Sequence, residues 1–383
     1  MVVIAPWSGP DGQRVDVVAG GGTSTAASGP ARSLRLPGIN AMAVAKDGTV
    51  WAAGATDVPQ IIRIDRDGRA TRTAVHPTDN DPIQSMAVAP DGILWILSGN
   101  GGDTAYRFVH GTLEPAFAPF AAKYSDPPDG SLVTTRSPQP DMTQFAFDGA
   151  GRLVFLSPGS GVNDFRCVTL RRIAANGRIT TLAGRDYTDR ADAEPNSAPA
   201  NGTDARHICL AFSDDFAMLG LDRAIIRSEQ ATFIVDLRTG RTSSLSSVSD
   251  NSPTTPAIAD RPSARTAAMG TLYMGEPDTP ISQLCATSAS TWFAVNPRTT
   301  KSPFGSQASV RFPATYDWRP EHGKLIDIRP GHGLSQVLLR VDGTRAQLAS
   351  GIASTVACTA HDVYVSAATE TSNQGTIVRL PVQ

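Results

Sequence analysis

One segment of this chain recurs, and the recurrence constrains the fold more than any other feature. The stretch 40–73 reads NAMAVAKDGTVWAAGATDVPQIIRIDRDGRATRT, and 84–117 repeats it as QSMAVAPDGILWILSGNGGDTAYRFVHGTLEPAF. A looser copy, interrupted by an insertion, spans 143–183. Copies built from short apolar segments and Gly-centred turns are typical of β architectures that repeat around an axis or along a stack.

Each copy predicts four antiparallel strands joined as a meander, which is the pattern of one propeller blade. In the first copy the strands are expected at 42–45, around Trp51, at 60–65 and at 69–75. An Asp-Gly pair separates the first strand from the second and the third from the fourth, and it predicts hairpin turns of the primed type. Trp51 and Trp95 occupy the same place in two copies, so we expect them to fill space between neighbouring blades.

The repeats predict one all-β domain over 1–383, a six-bladed β-propeller with four-stranded antiparallel blades. The blades are expected at 40–75, 84–117, 143–183, 207–246, 281–349 and 352–380. The last segment offers only three strands, so the unassigned strand 14–19 would complete that blade as its outer strand. Closure by the two termini would remove exposed sheet edges. Because 250–327 is ambiguous, five or seven blades remain alternatives.

Composition and charge exclude several classes of partner. The formal net charge is −2, and only 18% of the residues are charged. No basic run is present, which argues against nucleic acid and anionic membranes as partners. No apolar run approaches the roughly 18 residues that span a bilayer, so membrane insertion is not expected. We expect a secreted or cell-surface protein without a signal peptide in this sequence; a cytoplasmic location is the alternative.

Four cysteines are present, and an even number fits an exported protein with two disulfides. Cys167 and Cys209 lie in predicted strands of consecutive blades, and Cys285 and Cys358 occupy similar points in adjacent inner strands. The pairs Cys167–Cys209 and Cys285–Cys358 are therefore the disulfide hypothesis. Four buried free thiols are the alternative.

The repeat motif resembles that of the NHL-repeat propellers. The residues that carry the resemblance are Ala43–Trp51 (AVAKDGTVW), Ala87–Trp95 (AVAPDGILW) and the preceding strand end Val17–Gly20 (VVAG). The Asp-Gly-x-Leu-Trp form also resembles virginiamycin B lyase-like propellers, which are related to the SMP-30-like ones. The resemblance implies a propeller fold, whereas its motif residues serve packing and turns and specify no activity.

Binding residues of a propeller are expected where the loops enter the inner strands, over the central channel. The candidates there carry carboxylate, amide or imidazole groups: Asn40, Gln84, Asp141, Gln144, Asn163, Asp164, His207 and Glu370. Oxygen ligands of this kind suit Ca²⁺ or Mg²⁺, although no cofactor is required by the sequence. His207, expected to open an inner strand, is the candidate general base. The alternative is that these residues are an ordinary polar rim.

Three functions are compatible with these observations. The first is a secreted, non-catalytic recognition propeller that binds a protein, peptide or glycan, and the absence of a known catalytic motif favours it over an enzyme. The second is a metal-dependent lyase or hydrolase of the streptogramin-lyase type, with its site at the channel mouth. The third is a scaffold module of a larger bacterial assembly, which would show a large apolar surface patch.

Overall fold

The structure is a computed structural model that describes residues 7–8, 14–54, 56, 58–78, 81–99, 104–118, 127–158, 167–185, 201–211, 215–227, 231–247, 284–286, 292–294, 327–328, 351–369 and 374–381. The chain divides into two compact units. Unit 1 comprises 1–80 and 279–383, and unit 2 comprises 81–278.

The described residues are all-β, apart from two short 3-10 helices at Ala31–Ser33 and Ala205–His207. The first strands of unit 1 are β1 (Trp7–Ser8), β2 (Arg14–Gly20), β3 (Ser28–Pro30), β4 (Leu36–Pro37), β5 (Ile39–Val44), β6 (Val50–Gly54), β7 (Gln60–Ile64) and β8 (Arg69–Ala74). Those of unit 2 are β9 (Ile83–Val88), β10 (Leu94–Ser98), β11 (Thr104–Val109), β12 (Thr112–Pro115), β13 (Gln144–Phe147), β14 (Leu153–Ser157), β15 (Cys167–Ile173), β16 (Ile179–Ala183), β17 (Leu210–Ala211), β18 (Asp215–Leu219), β19 (Arg223–Arg227), β20 (Ala231–Asp236) and β21 (Arg241–Ser247). Unit 1 resumes with β22 (Leu284–Ala286), β23 (Trp292–Ala294), β24 (Asp327–Ile328), β25 (Gly351–Cys358), β26 (Asp362–Thr369) and β27 (Gln374–Pro381).

The first repeat forms an antiparallel sheet in the order β3-β8-β7-β6-β5. Its inner four strands are those that the repeat predicts, while β3 is an added edge strand. The strands bury alternating small and branched residues, such as Ala52, Ile62 and Ile64, in the core of unit 1. Small side chains on β5 and β6 fit this crowded position because neighbouring strands approach closely there.

The N-terminal strand β2 pairs with the C-terminal strand β27 in the sheet β1-β2-β27-β26-β25. Ala19 lies opposite Ile377 and Gly20 opposite Thr376. Gly20 has φ +87°, and a Cβ atom there would lie 2.9 Å from Cα of Thr376. Only glycine fits this close approach, so the Ala-Gly end of β2 has a structural cause.

The third sheet of unit 1 consists of β22-β23-β24. It falls within the predicted fifth blade, 281–349. The remaining strands expected for that blade, 336–341 and 345–349, lie outside the described residues.

Unit 2 contains three antiparallel sheets, in the orders β12-β11-β10-β9, β13-β14-β15-β16 and β18-β19-β20-β21. Trp95 on β10 contacts Phe117, Phe145 and Phe147 edge-to-face, with ring centroids 5.6–6.4 Å apart. Phe145 and Phe147 belong to the next sheet, on β13. Trp95 therefore packs between sheets, as the repeat predicts.

His207 does not open the inner strand of the sheet that follows it, so that prediction is wrong. The inner strand is β18, Asp215–Leu219. Leu210–Ala211 instead pairs with Cys167–Val168 at the start of β15. The disulfide between Cys167 and Cys209 holds the segment there, so tertiary contacts override the strand pattern of HICLAF.

Both cysteine pairs of the hypothesis are disulfides in the structure. Cys167–Cys209 lies in unit 2 with a Cα–Cα distance of 5.0 Å, and Cys285–Cys358 lies in unit 1 with 5.5 Å. Both distances fall within the usual range for a disulfide.

The Asp-Gly turns are not of the primed type that the sequence predicts. A primed type I turn needs positive φ at both central residues, whereas His110 is the one non-glycine residue with positive φ in the described part of the chain. In the β5–β6 hairpin the Gly48 N–H donates to the Ala45 carbonyl (2.9 Å), and Gly48 has φ +86°. This is a type I turn followed by a left-handed glycine. The primed turn lies at His110-Gly111, between β11 and β12.

No helix in the described ranges has the length and apolar character needed to cross a membrane.

Candidate functional site

The inner strands of each unit are neighbours, so their starts lie side by side. In unit 2, β13 lies between β9 and β18, and in unit 1, β25 lies between β22 and β5. Three of the predicted residues stand at the starts of such strands: Asn40 on β5, Gln84 on β9 and Gln144 on β13. The entry ends of the inner strands therefore carry amide side chains at equivalent positions.

Asn40 and Gln84 are exposed, although the residues on either side of each are buried. The Gln84 Nε2 group donates to the carbonyl of Gly99, which follows β10 and lies at the same open end of the hairpin. Gln144 is half-buried, and its Oε1 accepts a hydrogen bond from the backbone N–H of Phe216 (3.1 Å) on the next inner strand. The amides of Gln84 and Gln144 therefore already form hydrogen bonds that link neighbouring segments.

Of the remaining predicted residues apart from His207, Asp141 is the one that the structure describes. Asp141 is half-buried and precedes β13, whose first residue is Gln144. Asn163, Asp164 and Glu370 lie outside the described residues. In unit 2 the structure therefore brings Gln84, Asp141 and Gln144 to the entry ends of neighbouring inner strands.

His207 does not occupy the position that the sequence predicts. It ends the 3-10 helix Ala205–His207 instead of opening an inner strand, and its side chain is 72% exposed. Its Nδ1 atom lies 4.0 Å from Oδ2 of Asp204, the residue that caps this helix. Hydrogen bonds from the Arg206 side chain and N–H lower the pKa of Asp204. An imidazole on an open surface lacks the enclosed setting of a general base.

The oxygen atoms of the entry ends are of the type that Ca²⁺ and Mg²⁺ accept. Across the described ranges, however, no three His, Cys, Asp or Glu side chains come together as a cation site.

A second feature, a groove of about 950 Å³ in unit 1, was missed by the sequence reasoning. It lies at the opposite ends of the inner strands, where hairpin turns of the first and last sheets approach each other. The described lining residues are Val17, Val18, Pro30, Arg32, Val44–Gly48, Val50, Asp65–Gly68, Cys358–Asp362, Tyr364 and Arg379. The Asp-Gly turns line this groove, but their sequence pattern predicts only that the chain reverses there.

Two carboxylates in the groove wall accept hydrogen bonds from groups of their own turns. Asp47 accepts hydrogen bonds from the N–H (2.9 Å) and hydroxyl (3.1 Å) of Thr49, and the backbone bond lowers the pKa of Asp47 most. Asp65 accepts from the N–H groups of Asp67 and Arg69. These are local side-chain-to-backbone bonds of the kind that stabilise turns.

The last sheet contributes a polar cluster to the same wall. Tyr364 is buried, and burial raises the pKa of its phenol. Arg379, opposite Tyr364 on β27, lies 4.0 Å from Asp362. The negative charge of Asp362 is therefore compensated by Arg379 of the same sheet.

Comparison with known proteins gave matches among solved structures only; no protein-family profile and no curated protein matches this sequence. A gluconolactonase from Xanthomonas campestris is 11% identical over 99% of this chain and 94% of its own, with a TM-score of 0.47. A virginiamycin B lyase from Staphylococcus aureus is 11% identical over 91% and 98%, with a TM-score of 0.45. A PQQ-bound aldose sugar dehydrogenase from Streptomyces coelicolor is 13% identical over 99% and 100%, with a TM-score of 0.45.

Gluconolactonase and virginiamycin B lyase are among the structures that this chain is similar to, so the resemblance seen in the sequence is confirmed. The same finding corrects the main functional prediction: these similar structures are enzymes, so the comparisons do not support a non-catalytic recognition propeller. At 11–13% identity the likeness concerns the fold, and no substrate or residue role is transferred from it.

Proposed function

We propose that this protein is an enzyme, a lyase or hydrolase, with its site at the entry ends of the inner strands. The observation that carries the proposal is the set of polar side chains at equivalent entry positions, with Gln84 exposed on a strand that is otherwise largely buried. Exposure of this polar group at the entry end of the strand leaves it accessible to a ligand.

The architecture that we propose is a closed six-bladed propeller forming one domain over 1–383. Pairing of β2 with β27 supports closure through the two termini, and runs of three neighbouring inner strands in each unit support a ring. In such a ring the inner-strand entry ends would surround a channel mouth, where propellers place their ligands.

The described residues suggest a division of roles. The Gln84 amide would bind a polar oxygen or nitrogen of the substrate while remaining anchored to the Gly99 carbonyl. Asp141, half-buried three residues before the start of β13, would serve as the general base, because a carboxylate at this end of the strand can accept a proton from a bound substrate. Ca²⁺ or Mg²⁺ remains part of the proposal as a Lewis acid, held in part by oxygen atoms of these residues.

We also infer a location outside the cytoplasm. Two disulfides support it, because such bonds persist in oxidising compartments. The scaffold alternative would require a large exposed apolar patch, and the large apolar side chains exposed in the described residues are Val58, Leu132 and Leu221.

The test is a turnover assay on lactones and cyclic esters, including sugar lactones and virginiamycin B, with and without EDTA followed by Ca²⁺ or Mg²⁺. We expect Asp141→Asn to lower kcat at least about 100-fold and Gln84→Ala about 10-fold. The control is Thr71→Ala, on the outer strand β8, which should retain full activity. Full activity in Asp141→Asn, or no turnover of any ester by the wild type, would overturn the proposal.

A further inference from the structure

The fourth strands of the described meanders are β2, β8, β12, β16 and β21, and all of them except β12 are covered by a further segment of the chain. In unit 1, β3 pairs with β8 and β1 pairs with β2. In unit 2, the Gly130 N–H donates to the Ile179 carbonyl of β16 (2.9 Å). The Gly202 N–H donates in the same way to the Thr242 carbonyl of β21 (2.7 Å).

The outer edge of β12, Thr112–Pro115, is the exception. Among the described residues, β12 pairs with β11 alone, and no backbone hydrogen bond reaches its outer edge. The covering segments of unit 2 belong to the long connectors before β13 and β18, which are 116–143 and 184–214. The connector before β9 is 75–82, only eight residues long, and it leads directly to the inner strand. It therefore leaves no residues to cover β12.

The hydrogen-bond register decides which backbone groups of β12 face away from the sheet. The Ala116 N–H donates to the Ala105 carbonyl (2.8 Å), and β12 continues in the same register. Because antiparallel strands alternate between bonded and non-bonded pairs, every second residue before Ala116 bonds to β11, while Leu113 and Pro115 turn outward. Proline has no N–H. The open edge therefore offers one N–H, that of Leu113, beside the carbonyl of the same residue.

The side chains of β12 present no unbalanced charge to an approaching strand. Nη2 of Arg107 lies 3.1 Å from Oε2 of Glu114, so the carboxylate of β12 is paired within its own sheet. Thr112 is exposed, and its hydroxyl donates to the Val109 carbonyl. Unpaired strand edges of this kind are places where another strand adds to a sheet.

We propose that a second copy of this chain adds to this edge, with the two β12 strands antiparallel about a two-fold axis at Leu113. Each Leu113 N–H then donates to the Leu113 carbonyl of the other copy, so one donor and one acceptor on each chain satisfy each other. Thr112 faces Glu114 of the second copy in this register. Pro115 faces Gly111, which lies outside β12, so the missing proline N–H is not needed.

This self-complementarity favours a second copy over an unrelated strand. A longer foreign strand would continue past Leu113 and place a carbonyl opposite Pro115, where no N–H is present to bond it. A two-fold contact uses the same patch on both chains, so association stops at the dimer. The proposal does not depend on the enzymatic site proposed above.

Sedimentation velocity between about 10 µM and about 1 mM protein tests the association. A contact this short is small for a protein interface, so we expect a dissociation constant of about 0.1 to 1 mM. Amide hydrogen exchange at Leu113 should slow at least about twofold at the higher concentration. The Ile179 N–H, which donates to the Ser131 carbonyl (3.0 Å), should exchange slowly at both concentrations. A monomer mass throughout, or dimers with unchanged exchange at Leu113, would overturn the proposal.

Two substitutions of Leu113 test the hydrogen bond itself. Leu113→Pro removes the outward N–H but no bond to β11, so the dissociation constant should rise at least about tenfold. Leu113→Ala keeps the N–H and should associate within about twofold of wild type. Thermal unfolding checks that both variants fold. Equal association of the two folded variants would contradict the pairing.

Thr112→Glu tests the register without a proline. It places a carboxylate opposite Glu114 of the second copy, and like charges at facing positions of a sheet repel each other. We expect the dissociation constant to rise about fivefold at low salt and to recover as added salt screens the repulsion. Thr112→Gln has a similar size and loses the same bond to Val109, so it is the matched control. Equal association of Thr112→Glu and Thr112→Gln would overturn the two-fold pairing.

Discussion

Units 1 and 2 are built from the same kind of sheet, but the distance from a turn glycine to the neighbouring turn differs from one pair of sheets to another. Each has three sheets, neighbouring inner strands and one disulfide. In unit 2, Pro90 closes against Gly151, and Leu221 closes against Gly149. Gly48 of unit 1 and Gly92 of unit 2 hold the same place in their turns, and an added Cβ at either would meet no atom closer than 3.8 Å. The repeat therefore fixes strands and turns, while single side chains decide how closely neighbouring turns approach each other.

The largest effect should come from removing the feature that the two units share. The disulfides close segments of 42 residues in unit 2 and 73 residues in unit 1. Loop-closure entropy predicts a loss of about 4 kcal/mol for either Cys167→Ala/Cys209→Ala or Cys285→Ala/Cys358→Ala. Urea unfolding of both double variants measures it. A loss below about 1 kcal/mol in one of them would mean that this disulfide is incidental to its unit.

The next effect tests the difference between the units directly. Gly151→Ala combines a left-handed φ of +78° with a contact to Pro90, and we expect it to destabilise by about 3 kcal/mol. Gly48→Ala, at φ +86° in open space, should cost only the backbone strain, about 1 kcal/mol. Thermal or urea unfolding compares them. Equal losses would show that the space beside Gly48 is not open.

Acid should weaken both units through the aspartates of their turns. The Thr49 N–H in unit 1 and the Thr239 N–H in unit 2 lower the pKa values of Asp47 and Asp236 below the ordinary value. A lowered folded-state pKa contributes stability above the unfolded-state pKa, and this stability is lost as pH falls through the folded value. Unfolding measured from about pH 6 to pH 3 should therefore show a shallower decline in Asp47→Ala and in Asp236→Ala than in wild type. An unchanged slope in both would contradict these shifts.

The smallest effect on stability should come from filling the groove. Ala360 is exposed, so Ala360→Trp should change the free energy of unfolding by less than about 0.5 kcal/mol. Urea unfolding of the wild type and of Ala360→Trp measures the change. A loss above about 1 kcal/mol would show that the groove beside Ala360 is too narrow for an indole ring.

Much of the fold was predictable because it depends on local patterns. Alternation and turn residues predicted the strands of the first repeats, and Trp95 was recognised as packing between sheets. His207 was misplaced for a non-local reason: the disulfide from Cys209 and pairing with β15 hold its segment to another sheet. The turn type was also wrong, because the aspartate carboxylates accept N–H groups of their own turns and stabilise the type I form.

The sequence by itself determined that the chain is all-β and that its repeats make four-stranded meanders, because these follow from period-two alternation and turn chemistry. It offered the pairs Cys167–Cys209 and Cys285–Cys358 only as a hypothesis beside four free thiols, and the structure decided between them. Only the tertiary structure decided which polar residues are engaged and which surfaces are open. Gln144 bonds to Phe216 of another strand, and the groove forms where β2 and β27 bring the ends of the chain together. Such contacts join residues far apart in sequence, and no local pattern encodes them.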